Sequence, residues 1–580
     1  MTRVCNRKRA LCATFVLGVS FLVLSYHGQT YLTKVDIPVG GNKAKNVIDS
    51  IKEQSVSLSP TLAYVHVTKK SVSLSPTLVY VTSAYDVLMH RCKNMDIRTF
   101  RESKSSAIYS RITGVTEDKS DMNAIFVHIQ TFDQLNRSKT VGGDLLHVIV
   151  TSDHVGERVA GHVIDHRDGR YTGVVRFLWT DQVKIQVQIG SALENVCLRL
   201  LATDKFGNLA FSQVRAWGIR GHYIGHDEVK EFTPCGPNID IYGYNNTCNY
   251  TQTNDNIPWY CGKPRDVRLL CSDIKAYKCG PFDVSAASQF EKVILPTVET
   301  LKNNVSFKHN WDKPYKHSSK TSFEKCSKRS SVYSWREGVD QPSGYWYNST
   351  WNFFNCSSGI RHDPATYRQC LKGKTFYFFG DSTVQQYVVF LFEKVMNFTS
   401  KNYVDFKGYH GDYHFRRVFS GQGINVVYFK HAMLFHNPHL PTKGITSIPT
   451  EMTILALSDI PDKDLIVFVS YHAHFQEYPI SVFVDRISKL VRAVKRLLSV
   501  KPRTKVFFKG PHFIHDDMRW FDNRISLLYR DIVRDAFSDL ASDVIYLDTW
   551  WVTVTHSNTD LHPQGDTFMS LIQQFMTYLC

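Results

Sequence analysis

A serine hydroxyl becomes a nucleophile at neutral pH when a base can take its proton and the base is held in register. Two short stretches of this 580-residue chain carry residue types suited to that chemistry. The first is Gly380-Asp381-Ser382, which follows the apolar run Lys374-Thr375-Phe376-Tyr377-Phe378-Phe379. That run reads as a strand, and Thr383 to Asn397 reads as a helix. A serine at a strand-to-helix turn presents its side chain outward, and the helix N-terminus aims backbone N–H groups at developing negative charge. The second stretch is Asp560-Leu561-His562-Pro563, in a loop after the last expected strand. His562 supplies a base, and Asp560 stands close enough to fix its tautomer. Taken singly, Asp381 or Ser382 is a helix cap, and Asp-x-His is an ordinary solvated loop. Taken together they point to acyl transfer with Ser382 as nucleophile, His562 as base and Asp560 as its partner.

The elements that must position these residues are legible as apolar runs. Asp464–Ser470, Thr504–Gly510 and Asp543–Asp548 read as buried strands. Between them, Ile487, Leu490, Val491, Val494, Leu497 and Leu498 form a helical stripe opposite Lys489, Arg492, Lys495 and Arg496. A further helix is expected around 524–537. Continuous apolar strands alternating with helices indicate a parallel sheet covered on both faces. Sites in such sheets lie at the carboxyl ends of the strands. Gly380-Asp381-Ser382, Tyr471-His472-Ala473-His474 and Gly510-Pro511-His512 all fall there.

Residues 84 to about 230 read instead as short strands, including the strict alternation Val183-Lys184-Ile185-Gln186-Val187-Gln188-Ile189. Their spacing suggests an immunoglobulin-like sandwich. The stretch 231–285 is cysteine-rich and aperiodic, and reads as a disulfide-held appendage. Residues 27–83 contain the repeated Ser-Val-Ser-Leu-Ser-Pro-Thr-Leu, at 55–62 and 71–78, and read as an extended stem.

The N-terminus sets the compartment. Arg3, Arg7, Lys8 and Arg9, in a tip of residues 1–9, precede the uncharged run 10–26. That run is expected to be a signal anchor that keeps the tip cytosolic, or else a cleaved signal peptide. Either way the remainder enters the secretory lumen: the Golgi lumen as a type II membrane protein, or secretion. Sequons at Asn136, Asn245, Asn249, Asn304, Asn348, Asn355 and Asn397 agree. So do eleven cysteines beyond the run, a disulfide pattern without paired C-x-x-C spacing, so no metal is expected. Eleven is odd, leaving at least one thiol free or intermolecular, with Cys580 a candidate. The formal charge of +16 is spread without a long basic run outside the tip, which argues against nucleic acid as a partner.

Further residues carry a family resemblance. Phe378-Phe379-Gly380-Asp381-Ser382-Thr383-Val384-Gln385, His410-Gly411, His474-Phe475 with Tyr478-Pro479, and Asp560-Leu561-His562-Pro563 make the C-terminal half similar to the SGNH/GDSL hydrolase clan, in its PC-esterase branch. With the strand-rich half, the chain resembles the neurexophilin and PC-esterase domain (NXPE) family. The resemblance implies an N-terminal all-β, immunoglobulin-like, neurexophilin-like domain over 84–285 and a C-terminal α/β SGNH-hydrolase-like domain over 286–580. It assigns the triad to Ser382, His562 and Asp560. Gly411 resembles the second oxyanion-hole donor after the Ser382 N–H. The usual third donor is an asparagine in a Gly-x-Asn-Asp block; here Tyr471-His472-Ala473-His474 stands instead, so His474 or His472 takes that place. Arg416 and Arg417 are expected either to bind an anionic sugar or carboxylate, or simply to lie on the surface. The implied activity is a glycan O-acetyltransferase, sialic acid being one acceptor, with acetyl-CoA as acetyl donor and no bound cofactor. A carbohydrate acetylesterase and a catalytically inactive binding protein are the alternatives. The first domain's resemblance implies a neurexin-like protein partner, and the N-terminal run a membrane.

Overall fold

The computed structural model describes residues 76–580 apart from 118–123, 153–156, 177–181, 210–216, 255, 282–297, 309–322, 339–340, 399–401, 405–415, 422, 431–449, 461–464 and 516–520. Of residues 1–75 it describes the backbone of four short strands, and the chain divides into units 1–73 and 74–580.

In the larger unit, the apolar runs of the C-terminal half pair as expected. Strands β1 (Thr375–Gly380), β2 (Asn402–Val404), β3 (Arg416–Gly421), β4 (Ile424–Lys430), β5 (Leu465–Val469), β6 (Lys505–Lys509) and β7 (Val544–Leu547) form one sheet in the order β2-β3-β4-β1-β5-β6-β7. From β4 to β7 every pairing is parallel, and β2 and β3 add an antiparallel edge. All five residues of β5 are buried. The reason is visible in the side-chain alternation. Val467, Val469, Val506 and Phe508 face helices α2 (Ile480–Val500) and α3 (Asn523–Ala536). Ile466, Phe468 and Phe507 face α1 (Ser382–Val388) and α5 (Gly565–Leu579), between which lies α4 (Thr549–His556) in sequence. On α2 the buried residues Ile487, Leu490, Val494 and Leu497 are those of the apolar stripe. Burying each such side chain contributes about 1.5–3 kcal/mol. The helix that begins at Ser382 continues past Val388 as a π-helical stretch, Val389–Val395.

The upstream strands form a ten-stranded, antiparallel sheet. The alternating segment lies in its strand Gln182–Ser191, where Val183, Ile185 and Val187 are fully buried. This half is not all-β. Helix Leu193–Phe206 follows that strand, ending at Gly207 in the left-handed region. Apart from its last turn, where Asp204 and Lys205 are exposed, the helix is buried nearly all round, including Glu194, Asn195 and Arg199, so it shows little amphipathic period. Strands from beyond 285 also join this sheet: Glu299–Thr300, Val305–Lys308 and Gly344–Tyr347. The two sheets are further tied by Ser191 Oγ donating to Asp522 Oδ2 (2.6 Å) and Trp346 Nε1 donating to the Val552 carbonyl (3.0 Å).

The cysteine-rich stretch is a five-stranded sheet held by Cys235–Cys261 and Cys248–Cys271. Cys92–Cys197, Cys326–Cys356 and Cys370–Cys580 are the other bridges. Cys580 is therefore no free thiol. Its partner lies 210 residues away in sequence, which spacing could not show. All seven sequon asparagines are exposed. Among the described residues no helix is long and apolar enough to cross a membrane. Residues 10–26 hold the antiparallel strands Leu11–Val16 and Val19–Tyr26. The expected stem lies mostly outside the described residues, and helix Pro76–Lys93 begins within it.

Candidate active site

Helix α1 starts where β1 ends. Asp381 has extended backbone and caps α1, its Oδ1 accepting from the Thr383 N–H (2.9 Å) and the Thr383 hydroxyl (2.7 Å). The capping reading thus holds for Asp381, and it leaves the next side chain, Ser382, half-exposed at the strand end. Tyr428 on β4 locks the turn by donating to the carbonyls of Gly380 (3.2 Å) and Asp381 (2.9 Å). Gly380 is required by close approach: a Cβ there would lie 2.9 Å from Val384 Cβ. As the first residue of α1, Ser382 has a backbone N–H with no intrahelical acceptor. It is a donor available to a developing oxyanion.

Across from it, the loop between α4 and α5 brings His562 Nε2 to 2.7 Å from Ser382 Oγ. The hydroxyl can donate to this nitrogen, the geometry a general base requires. Asp560 is also present but does something else. It is exposed, and its Oδ1 accepts from the backbone N–H of His562 (2.9 Å). Among the described residues, Nδ1 of His562 has no hydrogen-bond partner. The loop is pinned by its carbonyls instead. Asn558 Nδ2 donates to the Asp560 carbonyl (2.7 Å), His512 Nε2 to that of Leu561 (2.8 Å) and Gln386 Nε2 to that of Pro563 (3.2 Å). Gln386 lies one helical turn after Ser382, so nucleophile and base loop are tied to the same helix face.

Behind the pair lies a buried polar layer built from the strand ends. Asp381, Lys509, His472 and His512 are all buried, with His474 half-buried beside them. Burial works to raise the Asp381 carboxyl, but the charges of His474 and Lys509 and the Thr383 donors overcome this and hold it below the usual range. Burial brings the Lys509 ammonium down to about 8, with Asp381 opposing the fall. Burial, then Lys509, brings His512 down to about 3, and burial with His512 and Lys509 holds His472 well below its ordinary value. Both imidazoles are neutral at physiological pH.

The other expected site residues divide. His474 sits in the strand-end loop, with Nδ1 3.7 Å from Glu477 Oε1. His472 is turned inward, its Nε2 3.0 Å from Ser526 Oγ, so of the two histidines it is the one committed to the core. Arg416 and Arg417 lie on β3, paired with Phe429 and Tyr428 of β4; their side chains, like Gly411, are outside the described residues. The sequence reading missed Lys509, Gln386 and Asn558. For Lys509 the signal was its place at a strand end beside Gly510-Pro511-His512, whereas Gln386 inside a helix and Asn558 in a loop gave none.

Fold and site together define an α/β protein with a serine–histidine pair at the carboxyl ends of a parallel sheet, joined to a large antiparallel sheet. Residues 351–580 match the family described as NXPE family member 4-like, C-terminal domain, and residues 123–287 match Neurexophilin. The two matches together support the NXPE family.

Proposed function

We propose that this protein is a luminal acyl-transfer enzyme that O-acetylates glycans, sialic acid being one acceptor. The observation that carries the reading is the 2.7 Å contact between Ser382 Oγ and His562 Nε2 at the start of α1. In this mechanism the Ser382 hydroxyl attacks the carbonyl of an acetyl thioester such as acetyl-CoA, and His562 Nε2 takes its proton. The Ser382 N–H, with Gly411 and His474 as further donors, receives the oxyanion. Collapse breaks the carbon–sulfur bond, and the His562 imidazolium returns the proton to the leaving thiolate. A sugar hydroxyl then attacks the acetyl-serine, His562 accepts its proton, and Ser382 leaves protonated. Arg416 and Arg417 are proposed to hold an anionic acceptor. With water as second nucleophile the same steps make an acetylesterase.

The seven exposed sequons and five disulfides support a secretory setting, either the Golgi lumen with an N-terminal anchor or secretion. The test is expression of wild type, Ser382→Ala and His562→Ala in cells, with O-acetylation of surface glycans read by mass spectrometry. Wild type raises O-acetylation, and each variant loses the effect by about 10³-fold or more in turnover. A wild-type fall reversed by Ser382→Ala identifies the esterase. Equal glycans from all three proteins reject acyl transfer and leave a binding role, with a neurexin-like protein as the partner to test.

A further inference from the structure

We propose that His512 is a positioning residue for the base, holding His562 through the main chain of its loop in the place of a carboxylate on the imidazole. The inference rests on the Ser382–His562 reading and goes beyond it, because it takes the orienting role from Asp560.

Hydrogen-bond roles fix the chemistry of His512. A carbonyl oxygen can only accept, so the 2.8 Å contact to Leu561 O makes Nε2 the protonated nitrogen. Among the described residues, Nδ1 is then a bare lone pair, buried with no partner. Protonating it would place an unpaired N–H and a charge in a layer that already holds Lys509. His512 is thus locked as a neutral donor. His472, whose ring lies 5.5 Å away, is locked in the same sense. The Ser526 hydroxyl donates to the Asp522 carbonyl (3.1 Å), so it accepts from His472 Nε2 (3.0 Å) and Gln476 Nε2 (2.8 Å). The charged and titratable groups around His512 are Lys509 on its own strand end, Asp381 from the β1 turn, His472 from the β5 loop and His562 itself.

The Asp560 carboxylate, by contrast, is exposed and engaged by the His562 backbone N–H, where it shapes a turn. Three neighbouring carbonyls of the loop, at Asp560, Leu561 and Pro563, are each held by a side chain. Leu561 itself packs on Ala473, Ile514 and Phe521. A ring whose main chain is fixed on both sides has little freedom beyond its own side-chain torsions.

The experiment compares His512→Leu, His512→Gln and Asp560→Asn with wild type in the full chain. The probe is a fluorophosphonate that labels Ser382, with p-nitrophenyl acetate turnover alongside. His512→Leu slows labelling at least about 10-fold and lowers kcat with KM little changed. His512→Gln, which keeps an N–H donor, recovers most of the rate. Asp560→Asn stays within about threefold of wild type, since its amide oxygen still accepts from the backbone. Gln386→Met, which removes the Pro563 anchor, slows labelling in the same direction as His512→Leu and serves if that variant does not fold. In protein labelled with ¹³C at histidine Cε1, the His562 signal moves in His512→Leu and holds in Asp560→Asn. Wild-type rates in both His512→Leu and Gln386→Met, or a loss in Asp560→Asn as large as in His562→Ala, overturn the proposal. Failure of the underlying reading looks different: wild type and Ser382→Ala label alike, while the His562 signal still reports which residue holds the ring.

Discussion

Removing the Cys370–Cys580 bridge tests how the C-terminal end of the chain supports the active site. The bridge joins the helix Pro364–Leu371 to the residue that ends α5, across a separation of 210 residues. A closed loop of that length restricts the unfolded chain by an amount worth about 5 kcal/mol at 25 °C in the chain-entropy treatment. Measured losses for native bridges run at about 2–5 kcal/mol, against a total stability of about 5–15 kcal/mol. Cys370→Ser with Cys580→Ser is therefore expected to lose about 2–5 kcal/mol in guanidinium unfolding of the oxidised protein. The loss should also reach the chemistry. Helix α5 begins at Gly565, three residues after His562. Fraying of α5 frees the base loop, so Ser382 labelling should slow together with the fall in stability. Two results refute the reasoning: a stability change under about 0.5 kcal/mol, or alkylation of Cys580 in native, unreduced wild type.

Two further outcomes follow from buried charges. Asp548 is buried at the end of β7, and burial, offset in part by Arg530 and Arg534, raises its carboxyl from 3.8 to about 6. A carboxyl raised in the folded state binds its proton more tightly folded than unfolded, so stability falls as pH rises from about 4 through about 6. The loss at pH 7 is on the order of 3 kcal/mol, and Asp548→Asn, which keeps an acceptor for the Trp550 N–H, should recover up to that amount. Paired urea titrations check it, since the gain must vanish near pH 4. The second concerns Glu451 and Arg486, a buried bidentate pair whose Nη2–Oε2 distance is 2.8 Å, with the guanidinium 5.6 Å over the Tyr471 ring beside the site. Glu451→Gln should destabilise by about 3–5 kcal/mol, while Glu451→Leu with Arg486→Met should be near neutral; equal losses in thermal melts would count against a paired origin.

Strands β1, β5, β6 and β7 were readable because each is a continuous apolar run, as buried parallel strands are, whereas β2, β3 and β4 were not read, β3 opening on Arg416 and Arg417 at an antiparallel edge. Helix α2 was readable from a stripe that the sheet then buries. The helix Leu193–Phe206 was not, because burial nearly all round, save for Asp204 and Lys205 in its last turn, erases the periodicity by which sequence reveals a helix. In the candidate site, Ser382 and His562 were singled out by residue type and position at the ends of elements, and the fold brings the two side chains together. For Asp560, proximity in sequence suggested a contact with the ring, but the carboxylate accepts from the His562 backbone N–H instead.

The sequence by itself determined the parallel sheet, the strand-end turn at Gly380-Asp381-Ser382, and the secretory pattern of sequons and cysteines. These are local, since periodicity, turn chemistry and composition are written within a few residues of one another. Only the tertiary structure decided that Cys580 pairs with Cys370, that His562 reaches Ser382, and that His512, Asn558 and Gln386 hold the loop that carries it. Apart from the Asn558 anchor two residues from Asp560, each is a contact between distant segments. Its existence depends on the packing of elements that no stretch of sequence contains.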